Sequence, residues 1–242
     1  MIRQKPSTRQ LASMLLILAL GTGCATTGTR LEPDQLHSQL PGHIAQDIEQ
    51  RLIHIVQPDE LQNVYYLARV DHIESRVFVG YFLEWSGEFP DFGRKYPISR
   101  TERWQQVRIP FFYTNWLYIP RSGGLQRRMF GPGDVEGITV AYKLVGDSLG
   151  QPLAIGFEMP GHKAMTISDS TDEWSVGQIV SGGAPFLQLA SWNHMFKPPE
   201  AGVSPQTFHV RPFPGREWNR LKMNRRRAEI AKRGLSDSTG VP

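Results

Sequence analysis

The stretch Gly131–His162, GPGDVEGITVAYKLVGDSLGQPLAIGFEMPGH, decides the fold. Ile138, Val140, Tyr142 and Leu144 alternate with Thr139, Ala141 and Lys143; further on, Leu153, Ile155, Phe157 and Met159 alternate with Ala154, Gly156 and Glu158. A period of two marks strands with one face in a core. The intervening VGDSLGQP is rich in residues that reverse a chain, so the segment predicts an antiparallel hairpin with Ser148 at its tip. Folding about that tip sets Val145 near Pro152 and Glu136 opposite Gly161 or His162. Asp134 and Glu136 share the parity of Ile138 and Val140, which directs both carboxylates to the core side. Buried there, they need a cation, a histidine or an arginine such as Arg127 or Arg128.

The same turn spells GDSLG, which matches the Gly-x-Ser-x-Gly pattern of a hydrolase nucleophile turn and resembles the Gly-Asp-Ser-Leu block of an esterase family. A nucleophile elbow leads from a strand into a helix, beside an oxyanion hole. Here a second strand follows, and the esterase family's downstream Gly-x-Asn-Asp and Asp-x-x-His blocks are missing from the sequence. Ser148 therefore reads as part of a reversal, and no catalytic residue is assigned.

Working outward, LPGHIAQDIEQRLIHIVQ places Ile44, Ile48, Leu52, Ile55 and Val56 at helical spacing and predicts a helix from Pro41 to Val56. NVYYLARVDHIE and RVFVGYFLEWS predict an antiparallel pair around Glu74-Ser75, with Val77, Val79, Tyr81, Leu83 and Trp85 on one face. Residues 87–103 are loop-like, and the aromatic run WQQVRIPFFYTNWLYIP, residues 104–120, reads as a core strand with Pro110 marking an edge or a bend, a sugar or lipid platform being the alternative that its aromatic density offers. HKAMTIS, SVGQIV and PFLQLASWNHMF are short strand candidates, separated by the solvated turn DSTDE, residues 169–173, and by SGGAP. SPQTFHVRPFPG is extended, and REWNRLKMNRRRAEIAKRG predicts one basic helix ended by Gly234, followed by a frayed tail. The fold class expected is α+β, predominantly β: an antiparallel β-sandwich flanked by an N-terminal helix and a basic C-terminal helix.

The N-terminus carries Arg3, Lys5 and Arg9, an apolar run from Leu11 to Leu20, and the small residues Gly21-Thr22-Gly23, which is the layout of a secretory signal. LGTGCATT resembles the lipobox of bacterial lipoproteins, with Gly21 where that class prefers leucine and Cys24 where it carries the acylated cysteine. Cys24 is the only cysteine, so an internal disulfide is excluded and attachment is the role left to it. Ala25 and Thr26 follow rather than the aspartate that retains such proteins at the inner membrane; the resemblance implies a lipid-anchored outer-membrane protein on the periplasmic face. The organisation expected is a signal peptide over 1–23, a tether over 24–40, a β-rich domain with its N-terminal helix over 41–215, and a basic C-terminal helix with its tail over 216–242.

Charge is uneven. Loss of residues 1–23 removes three basic groups from the 27 Lys+Arg, leaving 24 against 23 acidic groups. Between Arg211 and Arg233 nine basic residues face two glutamates, so the rest of the mature chain is acidic. Arg220, Lys222, Arg225, Arg226 and Arg227 are the candidates for an anionic surface: lipid head groups, lipopolysaccharide or an acidic protein. The alternative is a solvated helix pairing with the acidic body. A periplasmic address argues against nucleic acid.

GDVEGITV, a later strand ending before Gly161-His162, and APFLQLASWNHMF together resemble the necrosis-inducing toxin-like proteins and the vacuolar sorting-associated β-sandwich family. FLEWSGEFP or FFYTNWLYIP stands for their aromatic strand, and the likeness covers residues 64–196. It implies a divalent metal ion held by Asp134, Glu136, His162 and His194, with Gly133 and Val135 replacing a histidine and a tryptophan of the family pattern. The plainer reading is a turn capped by Asp134 and histidines hydrogen-bonded in the core. His37, His43, His54, His72 and His209 show no ligand spacing. The function expected is a binding or envelope-support module without catalysis; the alternative is a metal-dependent, or less readily a serine, hydrolase acting on envelope material.

Overall fold

The computed structural model describes residues 32–58, 60–86, 132–160, 163–168, 174–191 and 193–232. The described elements are, in order, α1 Pro33–Gln39, α2 Gly42–Gln50, β1 Ile53–Val56, β2 Leu61–Asp71, β3 Arg76–Trp85, β4 Asp134–Val145, β5 Ser148–Met159, β6 Lys163–Ser168, β7 Val180–Ser181, β8 Ala184–Leu189, β9 Phe196–Lys197, β10 Gln206–Phe208, β11 Arg211–Pro212, α3 Gly215–Arg220 and α4 Met223–Lys232. The fold is α+β and mostly β.

One sheet has the order β11-β2-β3-β4-β5-β6; a second runs β10-β1-β8-β7, with β9 also on β8. Both are mixed, which corrects the all-antiparallel expectation: β1 runs parallel to β8, and β11 parallel to β2. These pairings join segments far apart in sequence, where local turn signals carry no information on direction.

The expected alternation holds in β3, where Val77, Val79, Tyr81, Leu83 and Trp85 share a core with Ile138, Val140, Tyr142, Ile155 and Phe157 of β4 and β5. Ile53, Ile55, Leu187, Leu189 and Phe196 of the second sheet, and Ile44 and Ile48 of α2, belong to the same core. The opposite face of β2 and β3 is buried too: Tyr65, Leu67 and Phe82 pack with Phe213, Trp218, Leu221 and Met223 of the C-terminal segment. Tyr65 stacks on Phe213 at 4.4 Å. Burial on both faces explains why RVFVGYFLEW is almost continuously apolar.

The central hairpin turns tighter than expected. Val145 pairs with Ser148 across Gly146-Asp147, and Tyr142, not Val145, lies opposite Pro152. Gly146, at φ +59°, takes the first central position, where a II′ turn needs positive φ. Ile138 pairs with Phe157, and continuing that register sets Glu136 level with Met159, short of Gly161 and His162.

Four further expectations are corrected. The helix from Pro41 ends at Gln50, and Ile53–Val56 is a strand held between β8 and β10; ladder hydrogen bonds override helical periodicity in this β-branched run. Residues 33–39, placed in the tether, form α1, begun at Pro33. SVGQIV is a 3-10 turn, Val176–Gln178, with a Ser175/Gln178 capping box, and only Val180–Ser181 is strand. The basic helix is two helices, broken at Leu221-Lys222 where Lys222 takes φ +52°.

Inside the core the hydroxyls of Tyr81 and Tyr142 share a hydrogen bond of 2.9 Å, with the Arg51 guanidinium 4.9 Å from the Tyr142 ring centre. Burial pushes Tyr142 up to about 12 and Tyr81 well above its ordinary value. Both must stay neutral in the folded state, so their contribution is complete below about pH 10 and declines as pH rises through the folded values. Tyr142→Phe leaves the Tyr81 hydroxyl without its partner and is expected to cost about 1–3 kcal/mol. Tyr81→Phe/Tyr142→Phe together should cost less than the sum of the single changes, measured by urea unfolding at pH 8.

Candidate functional site: a buried Asp134–His194 pair

Asp134 opens β4 directly opposite Trp85, the last residue of β3. Gly133 precedes it at φ +72°, and a Cβ there would lie 2.5 Å from the Trp85 carbonyl oxygen, so only glycine fits this approach. His194 comes from the reversal between β8 and β9. Its N–H donates to Ser191 O, the Met195 N–H donates to Ser191 Oγ, and the Ala190 N–H donates to Met195 O. These bonds hold His194 at φ +59°, a left-handed conformation that histidine tolerates better than most residues.

The two side chains meet. His194 Nδ1 lies 2.9 Å from Asp134 Oδ2, with side-chain exposures of 9% and 5%. The imidazole stacks on Trp85, ring centres 4.3 Å apart and planes within 9°. Arg226 of α4 completes the group: its Nη1 is 3.7 Å from Asp134 Oδ1, its Nη2 donates to Gly133 O at 3.0 Å, and its Nε donates to Leu221 O at 3.0 Å. Asp134 thus has a histidine on one oxygen and a guanidinium near the other.

A second buried acid sits one residue away in the ladder, on the other face. Glu84, paired with Val135 in register, accepts from Asn63 Nδ2 at 2.9 Å and from the Tyr65 hydroxyl at 3.1 Å, and forms an ion pair with Arg220 of α3. Burial works against the Arg220 charge, but its bonds to Glu84 and Glu217 outweigh this and hold the guanidinium above its usual value. The hydrogen bond from Arg220 holds the Glu217 carboxyl below its usual range. Arg220 of α3 and Arg226 of α4 therefore each meet a buried carboxylate at the same end of β3 and β4.

Of the residues singled out in sequence, the structure brings Asp134 and His194 together. Glu136 is half-buried on the same strand opposite Leu83. His162, Arg127, Arg128, Cys24, the aromatic run and DSTDE lie outside the described residues. Among the described residues no group of three or more His, Cys, Asp or Glu is placed to hold a metal ion. Of the basic set, Arg220 and Arg226 are turned to acids, Arg225 is exposed, and Lys222 and Arg227 are partly buried with partners of their own. Ser148 is exposed at the first position of β5 and no helix follows it.

Sequence reasoning set Trp85 on the core face and offered a basic helix paired with the acidic body, but missed Glu84, the Trp85–His194 stack and the choice of Arg226 as the partner of Asp134. Glu84-Trp85 ends a strand predicted to be buried, and an acid in such a strand was the signal available. No family model, curated protein or solved structure matches this chain.

Removing one member of a buried charged group leaves the others uncompensated. Arg226→Met is expected to destabilise the protein by about 1–3 kcal/mol and His194→Ala by about 3 kcal/mol, the latter also losing the Trp85 stack. Ser148→Ala should change stability by less than about 0.5 kcal/mol. Chemical denaturation of the three variants checks this order.

Proposed function

We propose that the chain is a lipid-anchored outer-membrane protein whose folded part is a non-catalytic binding or envelope-support module, built as a β-sandwich. The anchor reading rests on the basic, apolar and small-residue succession before Cys24 and on the lack of any other cysteine. The sandwich reading is supported by the single core shared by residues of both sheets.

The observation that carries the non-catalytic reading is the use made of Asp134 and His194. The carboxylate is matched to Arg226 and to the imidazole, and the imidazole is flattened against Trp85. Groups so engaged hold the C-terminal helices to the sheet. A general base needs a reachable proton and a nucleophile needs an adjacent base. The exposed turn residue Ser148 has neither a helix behind it nor a described histidine bonded to it.

The second reading, a metal-dependent hydrolase, is favoured by one fact: an acid and a histidine sixty positions apart in sequence do meet. His194 Nδ1 already faces Asp134, and the nearby guanidinium carries the positive charge that a cation would otherwise supply.

Expression of the full chain with its N-terminal segment tests both readings. The mature protein is expected in the outer-membrane fraction with acyl chains on Cys24, and Cys24→Ala is expected to release it from that fraction. Unmodified Cys24 in a soluble protein overturns the anchor. Elemental analysis that finds a stoichiometric divalent metal, lost in Asp134→Asn and His194→Gln, replaces the first reading with the second.

A further inference from the structure

We propose that two neighbouring hairpin tips, carrying Ile73 and Val145, dip into the bilayer surface to which the chain is anchored; this rests on the lipid-anchor reading above. Ile73 is 97% exposed and Val145 55% exposed, and among the described residues they are the large apolar side chains left in water. Single exposed apolar residues are ordinary. The two tips are neighbours: Arg76 pairs with Lys143, and the Leu144 N–H donates to Ser75 O at 2.8 Å, so continuing this register sets Val145 level with Glu74, the residue next to Ile73.

The tips are stiff. Asp71 Oδ1 accepts the Ile73 and Glu74 N–H groups at 3.0 and 3.1 Å, and the other tip is the two-residue Gly146-Asp147 turn. Little ordering is then required to present either side chain to a partner. Their charges are nearly balanced: Arg76 and Lys143 stand against Asp71, Glu74 and Asp147, with Glu74 paired to Arg76 at 3.2 Å. Such a surface suits the apolar margin of the head-group layer better than a strongly charged partner, and its contact should be insensitive to salt.

The course of the chain leaves this end available. The opposite end of β3 and β4 is covered by α3 and α4 through Glu84 and Asp134. β11 runs parallel to β2 and leaves it at Pro212, opposite Tyr66, and Asp34 accepts the Gly215 N–H just beyond at 2.9 Å. The Phe213 N–H donates to Tyr66 O and His37 packs edge-on against Tyr66, so the described chain begins beside the middle of β2, about five residues' length from the tips. The segment from Cys24 to Glu32 spans about 27 Å at full extension, enough to let the tips reach a surface holding Cys24.

Acylation of Cys24 leaves the chain without another thiol, so Ile73→Cys, Val145→Cys and Arg225→Cys each introduce one unique labelling position. The acylated proteins, labelled with an environment-sensitive nitrobenzoxadiazole dye, are placed in vesicles of phosphatidylethanolamine and phosphatidylglycerol, with near-ultraviolet circular dichroism confirming the fold. The labels at 73 and 145 are expected to shift to the blue, brighten several-fold, be quenched by lipids carrying a nitroxide on the acyl chain, and keep this response at high salt. The label at 225 is expected to stay as in water. If 73 and 145 report water while mass spectrometry finds acylated Cys24, the tip proposal is overturned and the anchor stands; a response at 225 instead also overturns it. If Cys24 is unmodified, the anchor fails and the proposal falls with it.

Discussion

Two carboxylates buried at one end of the β3–β4 ladder, Glu84 and Asp134, set the terms for the rest of the molecule. A lone charge in such a place is unstable by several kcal/mol. Each acid is matched by an arginine from the last part of the chain, Arg220 to Glu84 and Arg226 to Asp134. The acids point to opposite faces of the sheet, so the two clasps grip its end from both sides. The C-terminal helices become part of the folded domain for electrostatic reasons as much as apolar ones. Trp218, Leu221 and Met223 give α3 and the start of α4 an apolar seat, while Arg226 fixes the next turn.

This arrangement changes what the basic tail means. Composition presents it as a patch of positive charge facing outward. In the folded protein Arg226 is turned inward, Arg220 reaches from an exposed position to the buried Glu84, and Arg225 faces water. Net charge therefore describes the tail poorly; the position of each arginine relative to the break at Lys222 describes it better. The same economy applies to His194, whose orientation comes from backbone bonds in the 190–195 reversal and whose ring is sandwiched into use by Trp85 and Asp134.

The hairpin at Ser148 and the β2–β3 pair were legible because alternation and turn chemistry are local, and both act over a few residues. Meeting of Asp134 with His194 was within reach through parity on β4, though its partner Arg226 was not. β1 was read as helix because Ile55 and Val56 continue a helical spacing that begins at Ile44; only the distant strands β8 and β10 show that they pair instead. Parallel pairing of β11 with β2 and the division of the last helix likewise depend on contacts that span much of the chain. Residue type revealed the core face, and long-range hydrogen bonding decided the sheet order.

The claim that buried acids hold the C-terminal helices in place is tested most directly by native-state hydrogen exchange on Asp134→Asn beside the unaltered protein. Neutralising this acid should strip protection selectively from the hydrogen-bonded amides of residues 225–228 while β2, β3 and β5 keep theirs. Unchanged protection in those helical amides would contradict the account.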